Sequence, residues 1–363
     1  WGKSRPWILF GAIPFGVAAV LAFSVPNIGQ TGMLIYAYVS YILLSTAYTV
    51  VNIPMASILP ALSEDPHERT VLASCRTFFS SIGSTVVSAF ALTLVDKFGN
   101  GNEALGFRIV MMIFGVIGCL VFFFCFFNTK ERVTIKQEKV SLKANISCLL
   151  HNKPWKLFAL NIVWFFGGFV IQASAVIYYF TYVVQNTTLV QIVATITTLV
   201  PIVTNLCAPF LVKLTSKRNL MVGGSFVHMG GLLIIFFGGT NVPVLLAGAV
   251  IAAAGYGLKG SMHFAMQPDP VDYGEWKSGV NTAGTLSAVN GFIGKVGMAI
   301  ASSIGAALLQ FGGFDANLAV QTTTAQSYIT AMYIWVPIVM NIATIITMMF
   351  YDLDKIYPQI VKE

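Results

Sequence analysis

The chain has 363 residues, 56% of them hydrophobic and 10% charged, with mean hydropathy +0.77 and a formal net charge of +7. So apolar a chain is excluded from the soluble globular class and is expected to be an all-α polytopic membrane protein. Its surplus of positive charge lies in short segments beside apolar stretches, the signature of membrane topology, so no nucleic-acid partner is expected.

A helix needs about 20 apolar residues to cross a bilayer. Ten stretches qualify: 7–25, 32–62, 71–95, 107–128, 155–184, 188–212, 219–239, 242–267, 279–311 and 327–351. Pro54 and Pro201 fall inside spans, where they should kink the helix. The chain opens on Trp1 rather than Met, which predicts that sequence upstream is missing. In the second span, Tyr48, Asn52 and Ala56 recur at i, i+4 and i+8 on one face, with Thr49 beside them. Arg76 stands a turn and a half inside the third span, where it either snorkels or serves a site.

Residues 129–154 are long and basic, and read as a cytoplasmic linker between residues 1–128 and 155–363. Tyr178, Tyr179 and Tyr182, near the end of the fifth span, read as an interfacial aromatic belt. Lys259, in the eighth span, either snorkels to the inner face or lines a pore. The stretch "MQPDPVDYGEWKSGV" that follows, residues 266–280, reads as a turn and gathers Asp269, Asp272 and Glu275, three of the chain's fourteen acids. Lys295 lies in the middle of the ninth span, too deep to snorkel. Helical steps from it give Gly284, Ser287, Gly291, Met298 and Ser302, a narrow stripe of mostly small residues. A packing face explains the glycines but not the lysine.

If residue 1 is cytoplasmic, sixteen Lys and Arg fall in inner segments and only Lys97 and Arg108 in outer ones. The positive-inside bias therefore places both ends of this chain in the cytoplasm. No phosphate-binding G-x-x-x-x-G-K-[ST], no G-x-S-x-G elbow and no H-E-x-x-H is present, and the four histidines and five cysteines lack metal-ligand spacing. Neither catalysis, a metal centre nor a cofactor is expected. No acid lies deep in any span, although carriers driven by a cation usually hold it on an intramembrane carboxylate.

The stretches "WGKSRPWIL", "YTVVNIP" and "PDPVDYGEW" resemble, in this order, the glycoside–pentoside–hexuronide:cation symporters, the group of the melibiose and glucuronide permeases within the major facilitator superfamily. The resemblance covers essentially the whole chain. It implies a twelve-helix bundle, of which this chain would hold the third to the twelfth helix. It implies that Tyr48, Thr49 and Asn52 correspond to a tyrosine, a cation-ligating threonine and a sugar-binding aspartate, and that a stacking tryptophan is Ala56 here. It assigns Arg76 and Lys295 to the substrate site with Tyr48 and Asn52. The paired cation-site aspartates would lie on the second helix, which this chain lacks. Asp269 and Asp272 match acids that pair with basic residues of the other half to close the cytoplasmic side, with Arg69 as one such partner; a further basic partner is replaced by Asn281.

The expectation is therefore a monomeric symporter of the cell membrane that carries a sugar, glycoside or hexuronide with Na+ or H+. Two alternatives stand beside it: an inactive transporter remnant and a membrane-embedded glycosyl transferase. The latter would show carboxylates or histidines converging at a helix end.

Overall fold

The computed structural model describes residues 5–58, 66–131, 142–278 and 283–353, with positions 2, 62 and 356. Among these residues, ten helices are long and apolar enough to cross a membrane, one over each predicted stretch. Their outward faces are apolar: Leu214 is 83% and Phe237 80% exposed. Such faces suit lipid tails, and inside lipid only a helix satisfies its own backbone hydrogen bonds.

The helices fall into two compact units, Trp1–Glu138 and Lys139–Glu363. The first holds α1 (Arg5–Ala22), α2 (Gln30–Ser57), α3 (Pro66–Gly99) and α4 (Glu103–Asn128). Here α1 packs on α2 and α4, and α3 packs on α4. Glycines set the crossings, because without a hydrophobic drive between helices in lipid, association depends on close van der Waals contact. Gly16 of α1 meets Cys119 and Gly115 of α4, and Cys119 Sγ lies 3.2 Å from the Ala12 carbonyl oxygen. Asn102 caps α4 by accepting from the Leu105 backbone N–H at 3.1 Å. The third span starts at Pro66, five residues before the expected 71, so Arg76 stands ten residues inside its helix. The most apolar part of that helix begins only at Ile82.

The second unit holds α5 (Leu142–His151), α6 (Lys153–Tyr178), α7 (Thr188–Leu214), α8 (Lys217–Gly238), α9 (Val242–Met266), α10 (Asp269–Ser278), α11 (Ala283–Phe311), α12 (Thr323–Thr330) and α13 (Val336–Met349). Two five-residue π-helical segments interrupt it: Tyr179–Val183 prolongs α6, and Ala331–Trp335 joins α12 to α13. Tyr179 of the first stacks on Tyr333 of the second, with centroids 4.6 Å apart. Tyr179 is thus buried in the core rather than belonging to an aromatic belt, while Tyr178 and Tyr182 meet Phe314 edge-on.

One further expectation is corrected. The acid-rich stretch is not a turn: α10 runs through it, with Asp269 and Asp272 in its first turn, where the helix dipole favours carboxylates. Within the stretch 129–154, Leu142–His151 forms helix α5. Asn152 then caps α6, accepting from the Trp155 N–H at 2.9 Å and donating Nδ2 to the Pro270 carbonyl at 2.7 Å, which ties α6 to α10. Pro54 and Pro201 lie within continuous helices.

The tightest crossing in the second unit is that of α8 and α9. Gly224 and Gly231 of α8 lie against Gly255, Ala252 and Gly248 of α9 with backbone directly on backbone. A Cβ on Gly224 would come to 3.0 Å from the Lys259 nitrogen, and one on Gly255 would overlap the backbone of His228. This seam brings the roots of Lys259 and His228 together. Between α6 and α9 runs a column of stacked rings in the order Phe158, His263, Phe165, Tyr256, Phe169, with centroids 4.5 to 5.5 Å apart.

Candidate functional site

In the N-terminal unit, Tyr48, Thr49 and Asn52 come from one stretch of α2. Tyr48 is 47% exposed, its ring tilted against Phe15 at 6.2 Å, and Asn52 is half-buried. Thr49 donates its hydroxyl to the Ser45 carbonyl at 2.8 Å, which leaves the oxygen's lone pairs free to face a cation. From α3, Arg76 reaches the same helix, with Nη1 3.4 Å from the carbonyl oxygen of Met55, one turn beyond Asn52. The structure thus gathers four of the expected residues at one end of α2. Arg69 belongs to α3, but its side chain, like Asn281, lies outside the described residues.

In the C-terminal unit, the side of α11 that packs on α6 is formed by Asn290, Gly294, Gly297 and Ala301. Asn290 Oδ1 accepts from Trp155 Nε1 at 3.0 Å, Gly294 meets Phe166 and Gly297 meets Val163. The stripe from Ser287 through Gly291, Lys295 and Met298 to Ser302 is the other side: each of these residues is exposed, and nothing lies within 4 Å of a Cβ built on Gly291. The small-residue stripe through Lys295 is therefore not the packing face within this unit.

Asp269 is buried and held by Lys217 of α8, whose Nζ stands 2.7 and 2.9 Å from its two oxygens and 3.1 Å from the Ala265 carbonyl. The side chains are 26% exposed for Lys217 and 3% for Asp269. Asp272 is half-buried one turn on. Removing one partner of a buried pair strands the other charge. Lys217→Gln is therefore expected to destabilise the protein by about 2 kcal/mol, and Asp269→Asn added to it should recover part of the loss. Thermal unfolding in detergent checks this; equal stability of Lys217→Gln and the parent would refute it.

Sequence reasoning missed a buried polar cluster. Lys259 is 5% exposed and does not snorkel. Its Nζ donates to Asn341 Oδ1 of α13 at 2.8 Å and lies 3.4 Å from His228 Nδ1 of α8. Asn341 Nδ2 stands 3.0 Å from His228 Nδ1 and donates to the Pro337 carbonyl at 2.7 Å. On the other side of the ring, His228 Nε2 is 3.1 Å from Gln172 Oε1 of α6. The Lys259 ammonium also lies 5.4 Å from the Tyr256 ring centre and 5.7 Å from that of Phe165. Beside the cluster is a cavity of about 60 Å³ whose wall includes Phe169, Gln172, Thr197, His228, Tyr256 and Tyr333. Four polar residues in four different apolar spans were the available signal, but they lie 31 to 169 positions apart in sequence.

Ten apolar spans with amides, hydroxyls and cations set within them define a polytopic membrane protein. The chain belongs to the MFS/sugar transport protein family, whose model matches residues 1–355. It is 37% identical to the isoprimeverose transporter of Lactiplantibacillus pentosus, over all of this chain and 77% of that protein. It is 30% identical to the glucuronide carrier protein homolog of Escherichia coli (strain K12), over all of this chain and 80% of that one. The fold is similar to the solved major facilitator transporter FucP in its outward conformation, with TM-score 0.63 at 14% identity, covering 96% of this chain and 83% of that one.

Proposed function

We propose that this protein moves a carboxylate-bearing sugar or glycoside, such as a hexuronide, across the cell membrane with Na+ or H+ by alternating access. Tyr48, Asn52, Arg76 and Lys295 bind the substrate, Thr49 contributes to the cation site, and Arg69, Asp269 and Asp272 close the cytoplasmic side. Residues 1–128 and 155–363 act as two halves joined by the linker, with both ends of this chain in the cytoplasm and the monomer in the bilayer as the working unit. Because Asp269 is already held by Lys217, Arg69 has to compete with that lysine when the gate forms.

The observation that carries the reading is charge. Lys259 and Lys295 stand within apolar spans and Arg76 six residues before one, in the same helix, whereas among the described residues the carboxylates of the spans stand near their ends. An anionic substrate offsets cations that are costly when unpaired inside a membrane. Asn52, an amide where the resembling family has an aspartate, donates as well as accepts hydrogen bonds and does not repel an anion. The test is competition for uptake between a glucuronide and the matching neutral glucoside, in the parent protein and in Asn52→Asp. The glucuronide should compete better in the parent, and the substitution should weaken that preference about tenfold, the worth of one charge-assisted hydrogen bond. If the glucoside competes better and Asn52→Asp leaves the order unchanged, the anionic reading fails. A second reading, uptake of isoprimeverose, is favoured by the identity to the transporter of that sugar, and isoprimeverose belongs in the same competition series.

A further inference from the structure

We infer that the cavity beside His228, inside the C-terminal unit, is a binding site for a compact monovalent anion. The argument begins with hydrogen-bond polarity. An ammonium can only donate and a backbone carbonyl can only accept. Lys259 therefore fixes Asn341 Oδ1 on its own side, and the Pro337 carbonyl fixes Asn341 Nδ2 on the other. The second hydrogen of that amide points to His228 Nδ1, 3.0 Å away. An Nδ1 that accepts leaves the ring proton on Nε2, which donates to Gln172 Oε1. The relay runs in one direction, from cation to amide to imidazole to amide, and ends on the NH₂ of Gln172. Neither that NH₂ nor the Tyr256 hydroxyl has a hydrogen-bond partner among the described residues, and both residues line the cavity.

Charge and size narrow the ligand. Among the described residues no carboxylate lies within ion-pairing distance of Lys259, so its protonated form has no carboxylate counter-ion there, in an apolar surround. Exposed Ala173 and Thr197 stand at the rim of the cavity. A volume of about 60 Å³ is far below the ~300 Å³ at which pockets begin to enclose a drug-sized ligand, and a halide or a single carboxylate fits it. Two ligands share this chemistry, a free halide and the carboxylate arm of a sugar acid. The halide case stands whatever the transported substrate is, while the carboxylate case rests on the reading proposed above.

The experiment is thermal unfolding of the purified protein in detergent, followed by tryptophan fluorescence in halide-free HEPES with sodium held constant by sulfate. Sodium bromide, sodium glucuronate and neutral glucose are titrated separately. Bromide or glucuronate should raise Tm saturably by at least about 2 °C, and glucose should not. A response to bromide identifies a free-halide site, and a response to glucuronate alone identifies the carboxylate of a sugar acid. Gln172→Glu turns the donor end into an anion, and Asn341→Asp gives Lys259 its own counter-ion; each should abolish the shift. The second variant keeps the test decisive if the first does not fold. No saturable shift in the parent, or a shift that persists in the folded variants, overturns the site. Loss of the bromide or glucuronate response in the variants, with no glucuronide preference in uptake, would sink the anionic-substrate reading and leave the site standing.

Discussion

Lys295→Ala is expected to abolish active uptake of the substrate while leaving the amount of protein in the membrane unchanged. Two observations set that expectation. Lys295 is exposed in the middle of α11 and makes no hydrogen bond or ion pair among the described residues, and a cation at that depth costs roughly 3 kcal/mol on insertion scales, which no structural contact returns. The side of α11 that holds the helix in its unit is instead the one with Asn290, Gly294 and Gly297. Alanine therefore removes the charge without disturbing a packed surface. Uptake of labelled substrate by vesicles, normalised to transporter detected by blotting, measures both quantities. Uptake near the parent level removes Lys295 from the substrate site; a large fall in membrane-inserted protein shows instead that the lysine is structural.

The second large effect is expected at the α8–α9 seam. Gly255→Leu should leave almost no folded protein after extraction, seen as loss of the monodisperse peak in size-exclusion chromatography. A Cβ at this position overlaps the His228 backbone and comes 2.6 Å from the Gly224 carbonyl oxygen. Backbone cannot yield as a flexible side chain does, so the helices must separate. Overpacking of this kind costs about 3 kcal/mol, and in lipid the close approach of glycine backbones that it prevents is a main source of helix association. Gly291→Leu is the control, because nothing lies within 4 Å of a Cβ there. If both variants extract equally well, the seam does not hold the pair together.

The spans were legible because about twenty apolar residues in a row leave the chain few alternatives, and all ten coincide with helices. The acid-rich stretch was misread as a turn through its charge, although Asp269 followed by Pro270 is a recognised way to begin a helix. Lys259 was noticed, but not its surroundings: His228 approaches it where glycines let α8 and α9 touch, Asn341 reaches it from α13 and Gln172 meets His228 from α6, and no local pattern records which helix packs on which. The stripe through Lys295 was counted correctly along α11, yet periodicity alone could not tell a packing face from an unpacked one. Tyr179 failed as a belt residue for a related reason, since the helix containing it changes its winding at that residue.

The π-helical segment Ala331–Trp335 also decides where Asn341 points. In an unbroken α-helix, residues eleven apart differ by only about 20° in azimuth, so Thr330 and Asn341 would share one side. One extra residue absorbed in a wide turn sets the following helix back by about 100°. The last span is therefore two lengths of helix out of phase, and a helical wheel drawn across it assigns its polar residues to the wrong sides. Winding the same residues as regular α-helix, with none removed, would turn Asn341 by about 100° off both Lys259 and His228, whereas deleting one residue from the wide turn would keep it in place.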